Sequence, residues 1–443
     1  MYNVLTVLFF CASASMVLVA QSTPKAGQPI VLEWADSLQG IGSPTEGIRE
    51  FIGNVRFTHG NVTVSCQRAI QSPSTNTVDL FGNVVVKQEN LTLTTAQARY
   101  NGNTRLATAQ GGLRIVDGRR TITSVNGTYS TATHQATFDS SVASSDDTVL
   151  AWSSHAHYNR DSRETKAWGN VVAWDTVSLA RLQCDSMAYY PDSSLFNLYG
   201  DAAIWDWDHS LRDTMYMVAD TIIRRGGQYE NLTAKGSAAV LARNVAGRAD
   251  TIVYNGRSDT IVLFHDPVLW TDSTELLADT ITLFAPARKL KRVVGNGNAI
   301  LISRQDTTST NRYDQIAGET VEIAVRLDTI RQITATNSAR SITYRMEEGR
   351  GEGLASFASD TIKAVFDQGA LVDVFWLGGI EGEHQPEHLV VGKEANYLLP
   401  NFEWRTDKPL PQPLPTAGSS KPYRTPARTK AGSATESLFE KKR

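Results

Sequence analysis

A repeat of about 29 residues governs what this 443-residue chain can become. The string Phe51-Ile52-Gly53-Asn54-Val55 returns as Leu80-Phe81-Gly82-Asn83-Val84 and again as Ala167-Trp168-Gly169-Asn170-Val171. Gly111-Gly112-Leu113 and Ser140-Ser141-Val142 fill the steps between. Further copies stand at Gly200-Asp201, Gly236-Ser237, His265-Asp266-Pro267 and Gly297-Asn298, with looser ones at Ser338-Ala339 and Gly378-Gly379. A second signature interleaves with the first, a small residue before an acid or amide. It reads Cys66-Gln67, Ala96-Gln97, Cys184-Asp185, Ala219-Asp220, Ala249-Asp250, Ala278-Asp279, Gly318-Glu319 and Ser359-Asp360. One such unit cannot enclose its own apolar face, so neighbours must stack into an array.

The period within each unit is that of a strand. Val55-Arg56-Phe57-Thr58 and Val84-Val85-Val86-Lys87 alternate after their corners, as do Ile252-Val253-Tyr254 and Ile281-Thr282-Leu283 after theirs. These runs are short, β-branched and bounded by Gly, Asn, Asp and Ser, which predicts pairs of strands joined edge to edge. No amphipathic helix of three turns is expected between residue 20 and Pro400. The acids at Asp185, Asp220, Asp250, Asp279, Glu319 and Asp360 form a column. The Gly- and Asp-dense nonapeptides of calcium-binding solenoids are missing, so these side chains are expected to satisfy backbone N–H groups at the corners.

Composition sets the class. With 41% hydrophobic residues, 20% charged and a net charge of −3, neither global disorder nor nucleic-acid binding fits. The charge is uneven: from Arg405 to Arg443 there are nine Lys/Arg against three Asp/Glu, and six of the fifteen prolines follow residue 400. That tail, 401–443, reads as Pro-rich, basic and disordered. At the other end, residues 1–20 hold apolar runs at Val4–Cys11 and Met16–Ala20, which suits an export signal cleaved after Ala20, a retained anchor being the other reading. Cys11 would leave with that signal. Cys66 and Cys184 occupy the corner position that alanine fills in sister repeats, about four repeats apart. Neighbouring strands lie ~4.8 Å apart, so the two sulfurs are far beyond disulfide reach and read as buried thiols.

Candidate chemistry is thin. His384-Gln385-Pro386-Glu387-His388 spells an inverted zinc-peptidase string, but that chemistry needs one continuous helix, and Pro386 lies inside it. His155 and His157 share a strand face without a nearby third ligand. No phosphate-cradling loop, nucleophile elbow or dinucleotide fingerprint occurs. No catalytic residue, metal site or cofactor is therefore assigned. Trp152, Trp168, Trp174, Trp205, Trp207 and Trp270 cluster in the middle third. They pack either on a sheet face or along an aromatic-lined widening of an apolar channel.

Gly82-Asn83-Val84 followed by Leu91, Leu93, Ala96 and Tyr100, repeated in weaker form from about residue 30 to 400, resembles the OstA-like family. That family includes the periplasmic lipopolysaccharide transport protein LptA and the N-terminal domain of LptD. The resemblance implies an all-β, elongated jelly-roll of bent antiparallel strands over 21–400, read as one array or as two consecutive segments of about 30–210 and 211–400. It also implies a groove between two sheets, open along one side. Family members hold lipopolysaccharide acyl chains inside and join end to end through edge strands, in homo-oligomers or with other Lpt-type components. By parity, the groove lining here is Val55, Phe57, Val84, Val86, Leu91, Leu93, Val171, Ile204, Ile252 and Ile281. The expected function is periplasmic transport of lipopolysaccharide or a related glycolipid toward the outer membrane. The rival expectation is a structural β-solenoid that binds polysaccharide or protein on its outer surface.

Overall fold

A computed structural model describes residues 30–42, 47–177, 179–208, 213–226, 230–242, 245–271, 274–286, 289–304, 311–347, 350–410, 412, 414 and 415. The expected export signal with Cys11, and the basic end of the chain from residue 416, lie outside the described residues. Those described are built almost wholly of strands, with one four-residue α-helix at Glu387–Val390. The chain divides into two units, residues 1–207 with 414–423, and 208–413 with 424–443.

The first unit is an antiparallel meander. Ile48–His59, Val62–Ser72, Thr77–Gln88, Leu91–Asn101 and Leu106–Asp117 pair in sequence order. Gln135–Asp146, Val149–Asn159, Thr165–Asp175, Arg181–Tyr190 and Leu195–Asp208 continue the ladder. The second unit repeats the plan. Asp213–Arg225, Asn231–Ala242, Val245–Asn255, Arg292–Arg304, Tyr313–Arg326, Thr329–Glu347 and Arg350–Asp367 are its long strands.

Every Gly-Asn corner sits in the middle of a strand rather than between strands. Gly53 and Asn54 both take left-handed φ values (78° and 47°), as do Gly82 and Asn83 (73° and 49°) and Gly297 and Asn298 (74° and 49°). At each the pairing register slips, for example between Ile52 and Val55 opposite Arg68 and Cys66. These are β-bulges that bend the strand. A straight strand of the length of Ile48–His59 would hold its two ends roughly 40 Å apart. Instead, side chains from opposite strand ends touch, so each strand doubles over at its corner and supplies both facing sheets. Phe51 and Phe57 flank one corner on the inside, their rings edge to face at 5.3 Å.

The thiols behave as expected. Cys66 and Cys184 are unbridged and buried, and burial pushes them up to about 11 and about 12 respectively.

Candidate functional site: inner face, rims and outer face

The two interleaved signatures are the two halves of one lock. The carboxylates of Asp36, Asp185, Asp220, Asp279 and Asp360 lie over Gly53, Gly200, Gly236, Gly297 and Gly378 of the next strand, where any Cβ would overlap them. Gln67 does the same over Gly82. The corner asparagine completes the contact: Asn54 Nδ2 donates to Asp36 at 2.9 Å and Asn298 Nδ2 to Asp279 at 3.1 Å. The backbone N–H of Asp279 donates to Gly297 O at 2.8 Å, and that of Asp360 to Gly378 O at 2.9 Å. The acids thus act through side chain as well as backbone. At Asp250, opposite a corner that has no glycine, the backbone half of the lock is kept, its N–H donating to His265 O at 3.1 Å.

Beyond each corner the inner face is apolar. Val55, Phe57, Val84, Val86, Leu91, Leu93, Val171, Ile252 and Ile281 are all 0–3% exposed. Ile204 is half-buried between the buried Ala203 and Trp205. The nine are closed to water, so the facing sheets meet around them.

The turns after His59, Gln88 and Asp117 form one rim of the first unit, and those after Asn101, Ser130 and Asn159 form the other. Polar side chains on the inner face join the rims. His59 Nδ1 and Tyr100 OH are 2.7 Å apart, Tyr129 OH donates to Gln88 Oε1 at 2.8 Å, and Tyr158 OH donates to Asp117 Oδ2 at 3.4 Å. Arg160 adds ion pairs to Glu89 at 3.1 Å and Asp117 at 3.4 Å. Burial raises Tyr129 to about 12 and also raises Tyr100 and Tyr158, so the three phenols keep their protons.

The second unit hides its outer face as well. In Ala299-Ile300-Leu301-Ile302 every residue is buried, where Val84-Val85-Val86-Lys87 alternates. Cross-strand pairing puts Ile300 with Leu277 and Ala317, Ile302 with Glu275 and Gln315, and Trp270 with Ala246 and Glu275 on that outer side. The cover is the segment after the helical turn, residues 397–409. Leu399 packs with Ile300, Ile302, Ile342 and Tyr344, while Phe402 meets Tyr313 edge to face and Trp404 meets it at a tilt, each with ring centres 5.1 Å apart. Leu399 N–H donates to Gln315 Oε1 at 2.8 Å and Arg405 N–H to Glu275 Oε2 at 2.9 Å. The Arg405 side chain forks onto Asp407 at 3.0 and 3.2 Å, with Arg248 3.5 Å from the same carboxylate. The expected disorder from residue 401 is therefore corrected for residues 401–409, where Arg405 and Asp407 are buried because they neutralise each other.

The side chain of Trp207 lies outside the described residues; the other tryptophans resolve in the same way. Trp174 pairs with Arg181 and Arg181 with Trp205 on the outer side of the first unit, the Arg181 guanidinium lying 4.3 Å from the Trp174 ring centre. Trp270 is on the outer side of the second. These residues pack on a sheet face and do not line a channel. The signal that marks a doubly covered sheet was in the sequence: unbroken apolar runs such as Ala238–Leu241 and Ala299–Ile302, in place of alternation.

The zinc-like string is divided between elements. His384 lies in the strand Glu381–Pro386, the helical turn starts at Glu387, and Glu387 is held by Arg312 at 2.6 Å. His155 stacks on Trp168, and its Nδ1 contacts the Asp139 carboxylate. No group of three or more metal-ligating side chains occurs among the described residues. No helix among them is long and apolar enough to cross a membrane.

Strands doubled over locked corners around an apolar inner face define an OstA-like β-jelly-roll. The sequence agrees in both units: residues 27–111 match the family model described as OstA-like protein, and residues 209–289 match the LptA/(LptD N-terminal domain) LPS transport protein model. Over these two segments the chain is similar to that OstA-like, LptA-like family. Among solved structures it is similar to LptH, the LptA homologous periplasmic component of the lipopolysaccharide transport device from Pseudomonas aeruginosa. That similarity has 16% identity over 32% of this chain and 95% of that one. The TM-score is 0.25, too loose a superposition to carry an argument. No curated protein matches the chain.

Proposed function

We propose that the chain binds lipopolysaccharide or a related glycolipid between two membranes and passes it toward the outer membrane, its acyl chains held between the apolar inner faces. The observation that carries this reading is the match of residues 209–289 to a lipopolysaccharide-transport family, on a fold whose inner face is apolar in both units. Apolar side chains on facing sheets provide a dry surface for lipid tails, while sugars stay in water. No catalytic step is invoked. The periplasm is the proposed location. Other Lpt-type components or further copies of the chain are the proposed partners, through sheet edges. One edge is Ala370–Leu377, which among the described residues pairs only with Arg350–Asp367 and exposes Leu371, Val372, Phe375 and Leu377.

A second reading has an observation of its own. Inner side chains at 0–3% exposure suit a filled solenoid core whose outer surface binds polysaccharide or protein. Native mass spectrometry of the chain, purified without detergent from a lipopolysaccharide-producing host, separates the two. Adducts of glycolipid mass are expected, and the Val84→Asp/Val86→Asp double variant should lose them while remaining folded. A clean mass for the unaltered chain, or a folded double variant that keeps its lipid, would overturn lipid carriage.

A further inference from the structure

The inner-face contacts between rims recur with the repeat itself. His59, Gln88 and Asp117 stand one full repeat apart, and so do Tyr100, Tyr129 and Tyr158. Each rung therefore joins residues separated by 41 positions in the chain. A hydrophobic interior gains nothing from these polar groups, and burying them is costly unless every one is bonded. They sit only where the two halves of the doubled strands come back together. Two of the rungs make further polar contacts: Tyr100 OH lies 3.2 Å from Thr131 Oγ1, and Gln88 Nε2 lies 3.4 Å from His134 Nε2 on the opposite rim. Arg120 Nη1 spans the same rims to Thr165 Oγ1 at 3.4 Å.

We propose that this ladder is a latch, which keeps the mouth of the first unit shut and must part for an apolar chain to enter or leave from the side. The inference rests on the lipid-carrying reading for what passes through the mouth, but not for the mouth's opening. A hydrogen-bonded seam suits the purpose better than an apolar one. Its rungs exchange for bonds to water when it opens, so opening costs little, whereas a parted apolar seam would expose surface that re-closes on itself. The rungs are also distinct from the corners, where glycine and acid hold the bend fixed while the rims move.

The test uses the full chain with Tyr100, Tyr129 and Tyr158 changed to Phe, which keeps the rings but robs His59, Gln88 and Asp117 of these partners, so that water at an open mouth satisfies them better than a shut one. Tyr129→Phe alone serves as a milder variant should the triple change not fold. Spin labels at Asn90→Cys and Ala132→Cys, both exposed and on opposite rims, report the mouth directly. Cys66 and Cys184, buried and protonated, stay unlabelled, and Cys11 is changed to Ser. A single short label distance is expected in the chain with its tyrosines and a longer, broader distribution without them. Uptake of lipopolysaccharide carrying a fluorescent acyl chain should then be about tenfold faster in the Phe variant. Unchanged label distances overturn the latch, as does lipid uptake that is measurable in both chains and equal in them although the labels have parted. If the labels part and neither chain takes up lipid, the latch stands and lipid carriage falls.

Discussion

Glycine at a corner answers two separate demands, and the corners do not all make both. Gly297 holds a left-handed φ of 74° and also leaves the space that the Asp279 carboxylate fills. Gly111 has the same conformation, at 77°, with nothing within 4 Å of where a Cβ would be. Alanine at Gly111 should therefore cost the left-handed penalty alone, about 1–2 kcal/mol. Alanine at Gly297 should also displace the carboxylate from its bonds, for a total of roughly 2–4 kcal/mol. Urea midpoints of the two variants check this, and adding Asp279→Ala to Gly297→Ala should recover part of the loss. Equal losses at the two sites would mean that the carboxylate contributes nothing to the bend.

The covering segment 397–409 shows what a strand-level reading of the sequence reaches and what it misses. The inner face was legible where hydropathy alternates after a corner, as where Val84 and Val86 point in and Lys87 out. The cover was not legible, because two of its inward residues are Arg405 and Asp407 and its apolar neighbour Leu410 is exposed. Hydropathy points the wrong way when a buried position is filled by an ion pair. The rims were hidden for a related reason, since one tyrosine per repeat looks like ordinary strand content until its partner on the far rim is seen.

The same segment makes a pH prediction. Burial beneath it raises Glu275 from 4.5 to about 7 and opposes the pull of Arg405. A carboxyl raised in the docked state holds its proton there more tightly than when freed. Docking is thus strongest below the ordinary carboxyl range, weakens as pH climbs toward 7, and is flat above it. The groups facing Glu275 are Arg405, Asp407 and, one step out, Arg248 and Asp266. Proteolysis at Lys408 should quicken between pH 5 and pH 7, and Glu275→Gln should remove that rise. A cleavage rate that is level across this window would refute the assignment.

For the molecule as a whole, a repeat built on one corner plan should be removable in integral steps. Deleting residues 83–111 joins Gly82 to Gly112 and keeps a left-handed pair at the corner. The same cut brings Tyr129 into the place of Tyr100 opposite His59, so both the bend and the rim ladder stay in register. Such a chain should fold with unchanged β-signal per residue and cooperative unfolding. Deleting only 83–97, half a repeat, should give aggregation. If both deletions behave alike, the units are not interchangeable.

The cover over the second unit comes after the strands it protects, which gives it a place in time as well as in space. Ile300, Ile302 and Trp270 have emerged and paired well before Leu399, Arg405 and Asp407 exist to seal them. Until then a growing or translocating chain carries a strip of aliphatic and indole surface with no intramolecular partner, the kind of surface on which holdases act and incomplete chains aggregate. Completion of the chain to residue 407 therefore sets the moment at which the second unit becomes safe to leave unattended.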